Sequence, residues 1–222
     1  VTDETKQAIT PREKRRAKED RLAALTDAVV AIVMTLLVLD IKVPDLGSGE
    51  SVSDALSDIA PTFNAFIVSF LLVGMYWVWH RGVFAQVRYV DKNVLWLNLL
   101  FLLPLSLIPF AASTVGEHSD DPTALHIYGT VLIAVTFMRI ALDRYLNRHP
   151  GLLYEAPTSR EKRMSTLAAA APLVIYTIAM VVAVWLPALS LLMFFSVPFL
   201  YLGFVAFLQA DPRTMESAQD LS

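Results

Sequence analysis

A carboxylate set inside an apolar helix is the first residue here that could do chemistry. The stretch RLAALTDAVVAIVMTLLVLDIKVP carries Asp27 about one and a half turns after Arg21. On insertion scales a carboxylate at mid-membrane costs about 3 kcal/mol, and less near the interface. Asp27 must therefore face protein or headgroup water and hold a partner. Its candidates are Arg21 and the WVWHR segment, where Trp77, His80 and Arg81 stand together. The second feature is a stripe. Ala28, Ile32, Thr35 and Leu39 are spaced 4, 3 and 4 apart, which aligns them on one helix face. Leu36 borders that face. The stripe is apolar but for one hydroxyl at its middle. By spacing alone it reads first as packing, because a membrane threonine usually bonds its own i−4 carbonyl or a neighbouring helix.

The elements that must position these residues are membrane helices. Of 222 residues, 55% are hydrophobic and 18% charged, and mean hydropathy is +0.53. A soluble domain averages about a quarter charged. The apolar residues come in blocks of roughly twenty, the length that crosses a bilayer core. Six segments are expected, near 22–43, 59–79, 93–114, 123–146, 165–186 and 188–209. They are continuous runs without period-2 alternation, so they read as helices rather than barrel strands. The expected fold is all-α, a six-helix membrane protein without a re-entrant pore loop. Residues 1–20 form a polar segment, 21–210 the membrane domain and 211–222 a tail. The first segment is too long for a signal-peptide core and lacks an A-x-A site before KVPD, so it is expected to be retained.

Loop charges set direction. Arg12, Lys14, Arg15, Arg16, Lys18 and Arg21 precede the first segment. Arg81, Arg88 and Lys92 follow the second, and Arg144, Arg148, Arg160, Lys162 and Arg163 follow the fourth. The alternate loops are acidic, with Asp45, Glu50, Asp54 and Asp58 in one and Glu117, Asp120 and Asp121 in the other. The positive-inside rule then puts both termini in the cytoplasm of a bacterial inner membrane. Pro187 marks a tight turn between the last two segments. Pro104, Pro109, Pro172 and Pro198 are expected as tolerated kinks, and Trp79 and Trp185 as interfacial anchors.

Absences narrow the function. With no cysteine there is no disulfide, thiolate metal site or cysteine nucleophile. The four histidines are scattered, and no metal-ligand spacing is present. There is no G-x-x-x-x-G-K-[ST] and no G-x-S-x-G, so neither ATP-driven pumping nor hydrolase chemistry is expected, and no cofactor. The net charge of −3 argues against a nucleic-acid partner. No TVGYG filter is present.

In their order, the motifs resemble the prokaryotic relatives of the endolysosomal potassium channel, transmembrane protein 175. That family opens its first helix with R-x-x-x-F-S-D and continues A-I-x-x-T-L-L-V-L-[ED]-[IL]-x-V-P. A second-helix end with Trp and His follows, then D-x-x-x-x-W-L-N-L-L-F-L. The match covers residues 21–112. One departure is that F-S-D reads Leu25, Thr26, Asp27, which keeps the hydroxyl and loses the ring. The resemblance implies a homotetramer whose first helices line a central pore. It implies a hydrophobic constriction at Ile32, a potassium-linked polar layer at Thr35, and further pore positions at Leu36 and Leu39. It assigns Arg21, Thr26, Asp27, Trp77 and His80 to a structural network at the base of that helix. Asp40 and Asp45 would then place eight carboxylates at the outer mouth and concentrate cations there.

The leading expectation is a potassium-preferring cation channel, with potassium ions, other copies of the chain and membrane lipid as partners. The alternatives are a small secondary cation or proton transporter with Asp27 as carrier, and a non-conducting scaffold.

Overall fold

The computed structural model describes residues 11–42 and 51–209. The chain forms α1 (Pro11–Leu39), a short α2 (Val52–Asp58), α3 (Ala60–Phe84), α4 (Lys92–Leu105), α5 (Ile108–Glu117), α6 (Pro122–Arg148), α7 (Ser159–Val182) and α8 (Pro187–Gln209). A single 3₁₀ turn, Pro150–Leu152, sits between α6 and α7. Among the described residues there is no strand, only an isolated antiparallel bridge between Val87 and Leu153.

Among the described residues five spans are long and apolar enough to cross a membrane: Arg21–Leu39, Ala60–Phe84, Lys92–Glu117, Pro122–Arg148 and Lys162–Val182. The last helix, α8, is apolar over its Pro187–Gly203 stretch and stands in the place of the expected sixth segment. Three boundaries differ from the sequence reading. Helix α1 begins at Pro11, inside the stretch expected to be a polar segment, and ends at Leu39 rather than 43. Helix α3 runs to Phe84, five residues past its expected end at 79. The third segment is broken between α4 and α5. The break follows from Pro104 and Pro109. Pro109 has no N–H to offer the carbonyl four residues back, so the chain tightens, with Leu107 N–H donating to the Pro104 carbonyl at 3.1 Å. Residues 1–10 of the expected polar segment and the expected tail 211–222 lie outside the described residues, as do Asp45 and Glu50.

Helix starts are fixed by side-chain acceptors. Asp91 Oδ1 accepts from Val94 N–H at 2.8 Å, and Asp121 Oδ1 accepts from Thr123 N–H at 2.7 Å. The Tyr145 hydroxyl donates to Asp91 Oδ2 at 2.6 Å, which ties α6 to the start of α4. Partial burial pushes the Asp91 carboxyl up, but the bonds from Tyr145, Val94 and Asn93 outweigh it and hold it below the usual range. At the same end, Arg88 N–H donates to the Leu152 carbonyl at 2.7 Å and Tyr154 N–H to the Gln86 carbonyl at 2.9 Å.

Helix α6 packs against α4, α5, α7 and α8, while α3 packs against α1, α5 and α8. The core between them is aromatic, with Tyr76, Phe101, Tyr128, Tyr176 and Phe194 fully buried. Their hydroxyls are partly matched: Tyr128 with Ser69 at 3.0 Å, and Tyr76 with Thr136 at 2.8 Å.

Glycine allows a close helix approach between α3 and α5. A Cβ on Gly116 would lie 2.9 Å from the Thr62 Cα, a backbone atom that cannot rotate away. Thr62 also donates its hydroxyl to the Gly116 carbonyl at 3.2 Å. A Cβ on Gly82 meets nothing within 4 Å. Gly116→Ala is therefore expected to lower thermal stability by about 1–3 kcal/mol through overpacking. Gly82→Ala is expected to be neutral or to raise it by up to about 1 kcal/mol through helix propensity. Thermal denaturation of both variants in detergent checks the pair, and an equal response overturns the packing argument.

Candidate ion pathway along the first helix

The two faces of α1 have opposite fates. Leu22, Thr26, Val30, Val33 and Leu37, spaced 4, 4, 3 and 4, are buried against the bundle. The opposite stripe is exposed: Ile32 is 57% exposed, Leu36 41% and Leu39 69%. Ala28 and Thr35 are exposed on the same side, and Asp40 is half-buried just past the helix end. The stripe therefore does not pack within its own subunit, which removes the intramolecular form of the packing reading. Leu25, where the family motif has Phe, also faces outward at 43% exposure.

Thr35 donates its hydroxyl to its own helix, at 3.1 Å to the Ala31 carbonyl and 2.9 Å to the Ile32 carbonyl. That engages the proton only. The oxygen lone pairs remain on the exposed side, available to a cation or a water.

What holds α1 in this orientation is a buried chain of polar groups. The Thr26 hydroxyl donates to the Leu22 carbonyl at 3.2 Å. Asn98 Nδ2 on α4 donates to Thr26 Oγ1 at 3.0 Å. His80 Nε2 on α3 lies 2.8 Å from Asn98 Oδ1, which assigns the ring proton to Nε2. Thr26, His80 and Asn98 are all buried. The imidazole is stacked on Phe84 at 4.1 Å between centroids and on Phe101 at 5.8 Å.

Asp27, one residue round the helix, is held differently. Trp77 Nε1–H donates to Oδ1 at 2.8 Å, and Arg81 Nη1 donates to Oδ2 at 3.3 Å. Arg81 also lies over the Trp77 ring at 5.7 Å. The structure thus joins Asp27 to Trp77 and Arg81. Arg21 is exposed, and the ion pair found among the described residues is Arg81–Asp27. His80 serves Thr26 through Asn98, not Asp27.

Two functional-looking features escaped the sequence reading. Asn98 lies in the W-L-N-L-L-F-L stretch quoted above but was not singled out, and its signal was a lone amide in an apolar helix. The second is Arg139 and Asp143, one turn apart on α6 and both buried. The Arg139 guanidinium lies 4.8 Å from the Trp79 ring centroid, and Ser165 on α7 donates to Asp143 Oδ2 at 3.2 Å. Trp79 is accordingly a partly buried clamp between Arg139 and Phe101, not the interfacial anchor expected. Trp185 is 72% exposed in the turn between α7 and α8. No cluster of three or more His, Asp or Glu suited to a metal occurs among the described residues.

Comparison with known proteins now bears on this geometry. The family model described as endosomal/lysosomal potassium channel TMEM175 matches residues 21–109, which span α1 through the start of α5. A protein of Streptomyces collinus, named a potassium channel, is 35% identical over 151 residues, 65% of this chain and 73% of its own length. The chain belongs to the TMEM175 family. The human endosomal/lysosomal proton channel TMEM175 is 31% identical over 137 residues, 56% of this chain but 27% of that protein. A crystal structure of a lysosomal potassium-selective channel TMEM175 homologue from Chamaesiphon minutus superposes with a TM-score of 0.73. It covers 83% of this chain and 96% of that one at 24% identity, and so shares the fold. Within the family match lie the relay Thr26–Asn98–His80 and the exposed stripe.

The relay and the Asp27 cluster differ in depth, and so in energetic weight. Asn98→Leu leaves the His80 N–H buried without a partner, a cost of about 1–3 kcal/mol. Trp77→Phe removes one bond from a carboxylate that is 36% exposed and whose Arg81 partner is 58% exposed, and is expected to cost about 1 kcal/mol or less. Thermal denaturation in detergent should show the larger loss for Asn98→Leu. The reverse order would make Asp27 the principal anchor of α1.

Proposed function

We propose that this chain is the subunit of a potassium-preferring cation channel, a homotetramer in which α1 of each copy lines a central pore. It acts in the bacterial inner membrane with both termini in the cytoplasm. Residues 21–210 form the channel domain. The observation that carries the reading is the exposed stripe Ile32, Thr35, Leu36 and Leu39, presented outward while the opposite face of α1 is fastened to the bundle. Membership of a family described as potassium channels supports the ion. The protein performs no reaction and needs no cofactor for this role.

Four copies facing one axis stack the stripe into rings. An Ile32 ring closes the pathway by excluding water, since a hydrophobic constriction gates by dewetting. One turn on, a Thr35 ring presents oxygen lone pairs, because each hydroxyl proton is already engaged by the helix backbone. Neutral oxygens replace part of an ion's hydration shell without binding it tightly. Potassium loses water at lower cost than sodium, so the ring favours potassium, and modestly, because it supplies few oxygens. Thr26, Asp27, Trp77, His80 and Arg81 belong to the support of the helix, and Asp40 with Asp45 to the outer mouth.

A second reading, proton transport, is favoured by the proton-channel name of the human relative. Its simplest form uses Asp27 as carrier. Both Asp27 oxygens are occupied by Trp77 and Arg81, which suits a fixed support rather than a carboxylate that alternates between sides.

Planar-bilayer recording of the full chain under a potassium/sodium bi-ionic gradient tests the proposal. Potassium-preferring currents are expected, and the mass of the detergent complex should correspond to four subunits. A stable monomer that carries no current overturns the reading. Ile32→Asn is expected to wet the constriction and raise conductance. Unchanged currents move the constriction to Leu36 or Leu39.

Thr35→Val keeps shape and removes the oxygen. Conduction is expected to persist while the reversal potential shifts toward equal permeability. An unmoved reversal potential assigns Thr35 to its helix backbone alone.

A further inference from the structure

Ion conduction makes no use of a groove on the opposite side of the subunit. Residues of α7 from Met164 to Ile175, spaced three or four apart, face Val197, Leu200 and Tyr201 of α8 across a cavity of about 320 Å³. That size falls at the lower end of small-molecule pockets. Its walls are almost wholly apolar, and Ala168 and Ala171 leave the space. Pro172 in α7 and Pro198 in α8 each lack an N–H and press on the carbonyl four residues back, which disfavours straight, close pairing of the two helices. At about 1.5 Å per residue, Met164 to Ile175 spans roughly 16 Å, about half of a ~30 Å hydrocarbon core. The groove therefore has the depth of a single leaflet.

Charge gives the groove an end. Arg160 stands four residues before Met164, on the groove's face one turn beyond its mouth, and Arg163 directly precedes Met164 at the side of the mouth, three residues from Arg160 and so its neighbour on the helix surface. Both are exposed, and neither is in an ion pair among the described residues. Lys162 lines a separate polar cavity with Asp143 and Ser165, so the two arginines are not neutralised from that side. A second copy of the chain is a poor occupant. In a symmetric assembly it would bring its own basic end to the same depth and bury unpaired guanidiniums, which is costly.

We propose that this groove binds one anionic phospholipid, with an acyl chain between α7 and α8 and its phosphate at Arg160 and Arg163. The apolar walls supply affinity for the chain. The arginine pair supplies the headgroup preference, at about 1 kcal/mol for each basic residue. The proposal is independent of which ion the channel passes.

The full-length protein in detergent is incubated with phosphatidylglycerol and phosphatidylcholine in equal amounts, and retained lipid per subunit is counted by native mass spectrometry. Phosphatidylglycerol is expected to be retained over phosphatidylcholine by about tenfold or more, as two such charges imply. The double variant Arg160→Gln, Arg163→Gln should bring the two lipids level. Ala171→Phe fills the groove without touching either arginine and should remove retained lipid of both kinds. Equal retention by the parent protein overturns the proposal, as does a preference that survives the double variant. Lipid retained in full by Ala171→Phe overturns the groove as its seat. A changed subunit count in Ala171→Phe assigns the groove to a second copy and overturns it as well. Displacement of phosphatidylglycerol by millimolar inorganic phosphate reduces the site to an anion site and has the same effect.

Discussion

A hydroxyl, an amide and an imidazole buried side by side in a membrane bundle constrain everything built on them. Hydrocarbon offers no water to replace a lost partner, so Thr26, Asn98 and His80 must satisfy one another. Each belongs to a different helix, α1, α4 and α3. Together with the Leu22 carbonyl they form a chain of donors and acceptors with one register. An α-helix turns about 100° per residue. A slip of α1 by one position would bring Leu25 or Asp27 to the amide and swing Ile32 and Thr35 far round the axis. The relay thus sets azimuth, and azimuth decides which side chains a neighbouring copy or an ion would meet.

The aromatic residues extend this constraint across the bundle. His80 stacks on Phe84 and Phe101, Phe101 meets Trp79 edge-on, and Trp79 lies under the Arg139 guanidinium. Asp143, one turn along α6, takes a bond from Ser165 of α7. A chain of contacts therefore runs from α7 through α6 and α3 to α4 and α1. Arg139 Nε is buried in this region without a hydrogen-bond partner among the described residues. Buried water is the usual partner of such groups in polar interiors. The bundle behind α1 is thus a polar, aromatic core rather than a purely oily one. That suits a scaffold which must hold one helix at a fixed angle.

The parts legible in sequence were those written in a single helix or loop. The apolar spans follow from local length and hydropathy, and the shared face of Ile32, Thr35 and Leu39 from local period, although spacing alone read that face as packing and its exposure came from the structure. Pairings between helices were harder to read. Asp27 announced a need for a partner, and WVWHR contained it. The choice between Arg21, His80, Trp77 and Arg81 depends on how α3 lies against α1, which sequence spacing does not encode. Asn98 and the Arg139–Asp143 pair were passed over because each looked like an isolated exception in an apolar run. A polar residue in such a run is costly unless matched, so it points to a contact even when the contact itself cannot be named. Helix ends were the least legible. The break after Leu105 and the extension of α3 to Phe84 depend on proline placement and on bonds such as Arg88 to Leu152 across the bundle.

The same accounting of donors and acceptors limits how the exposed face of α1 can treat an ion. Thr26 donates to Leu22, accepts from Asn98 and is fully buried, so no ion reaches it. Asp27 has both oxygens engaged, and it lies toward the base of the helix. From Ala28 to Thr35 the backbone carbonyls serve the helix itself. Thr35 alone on this stretch has side-chain lone pairs turned outward. In a fourfold arrangement that gives four neutral oxygens at one level, fewer than the six or more that complete a cation's first shell in rigid oxygen sites. An ion at that level must keep part of its water, so its preference rests on the difference in partial dehydration alone. In that arrangement apolar rings of Ile32, Leu36 and Leu39 would impose the dehydration without choosing between cations. Selectivity in such a pathway is therefore bounded by geometry. It can exceed that of a bare hydrophobic pore, and it falls short of one lined by stacked carbonyls.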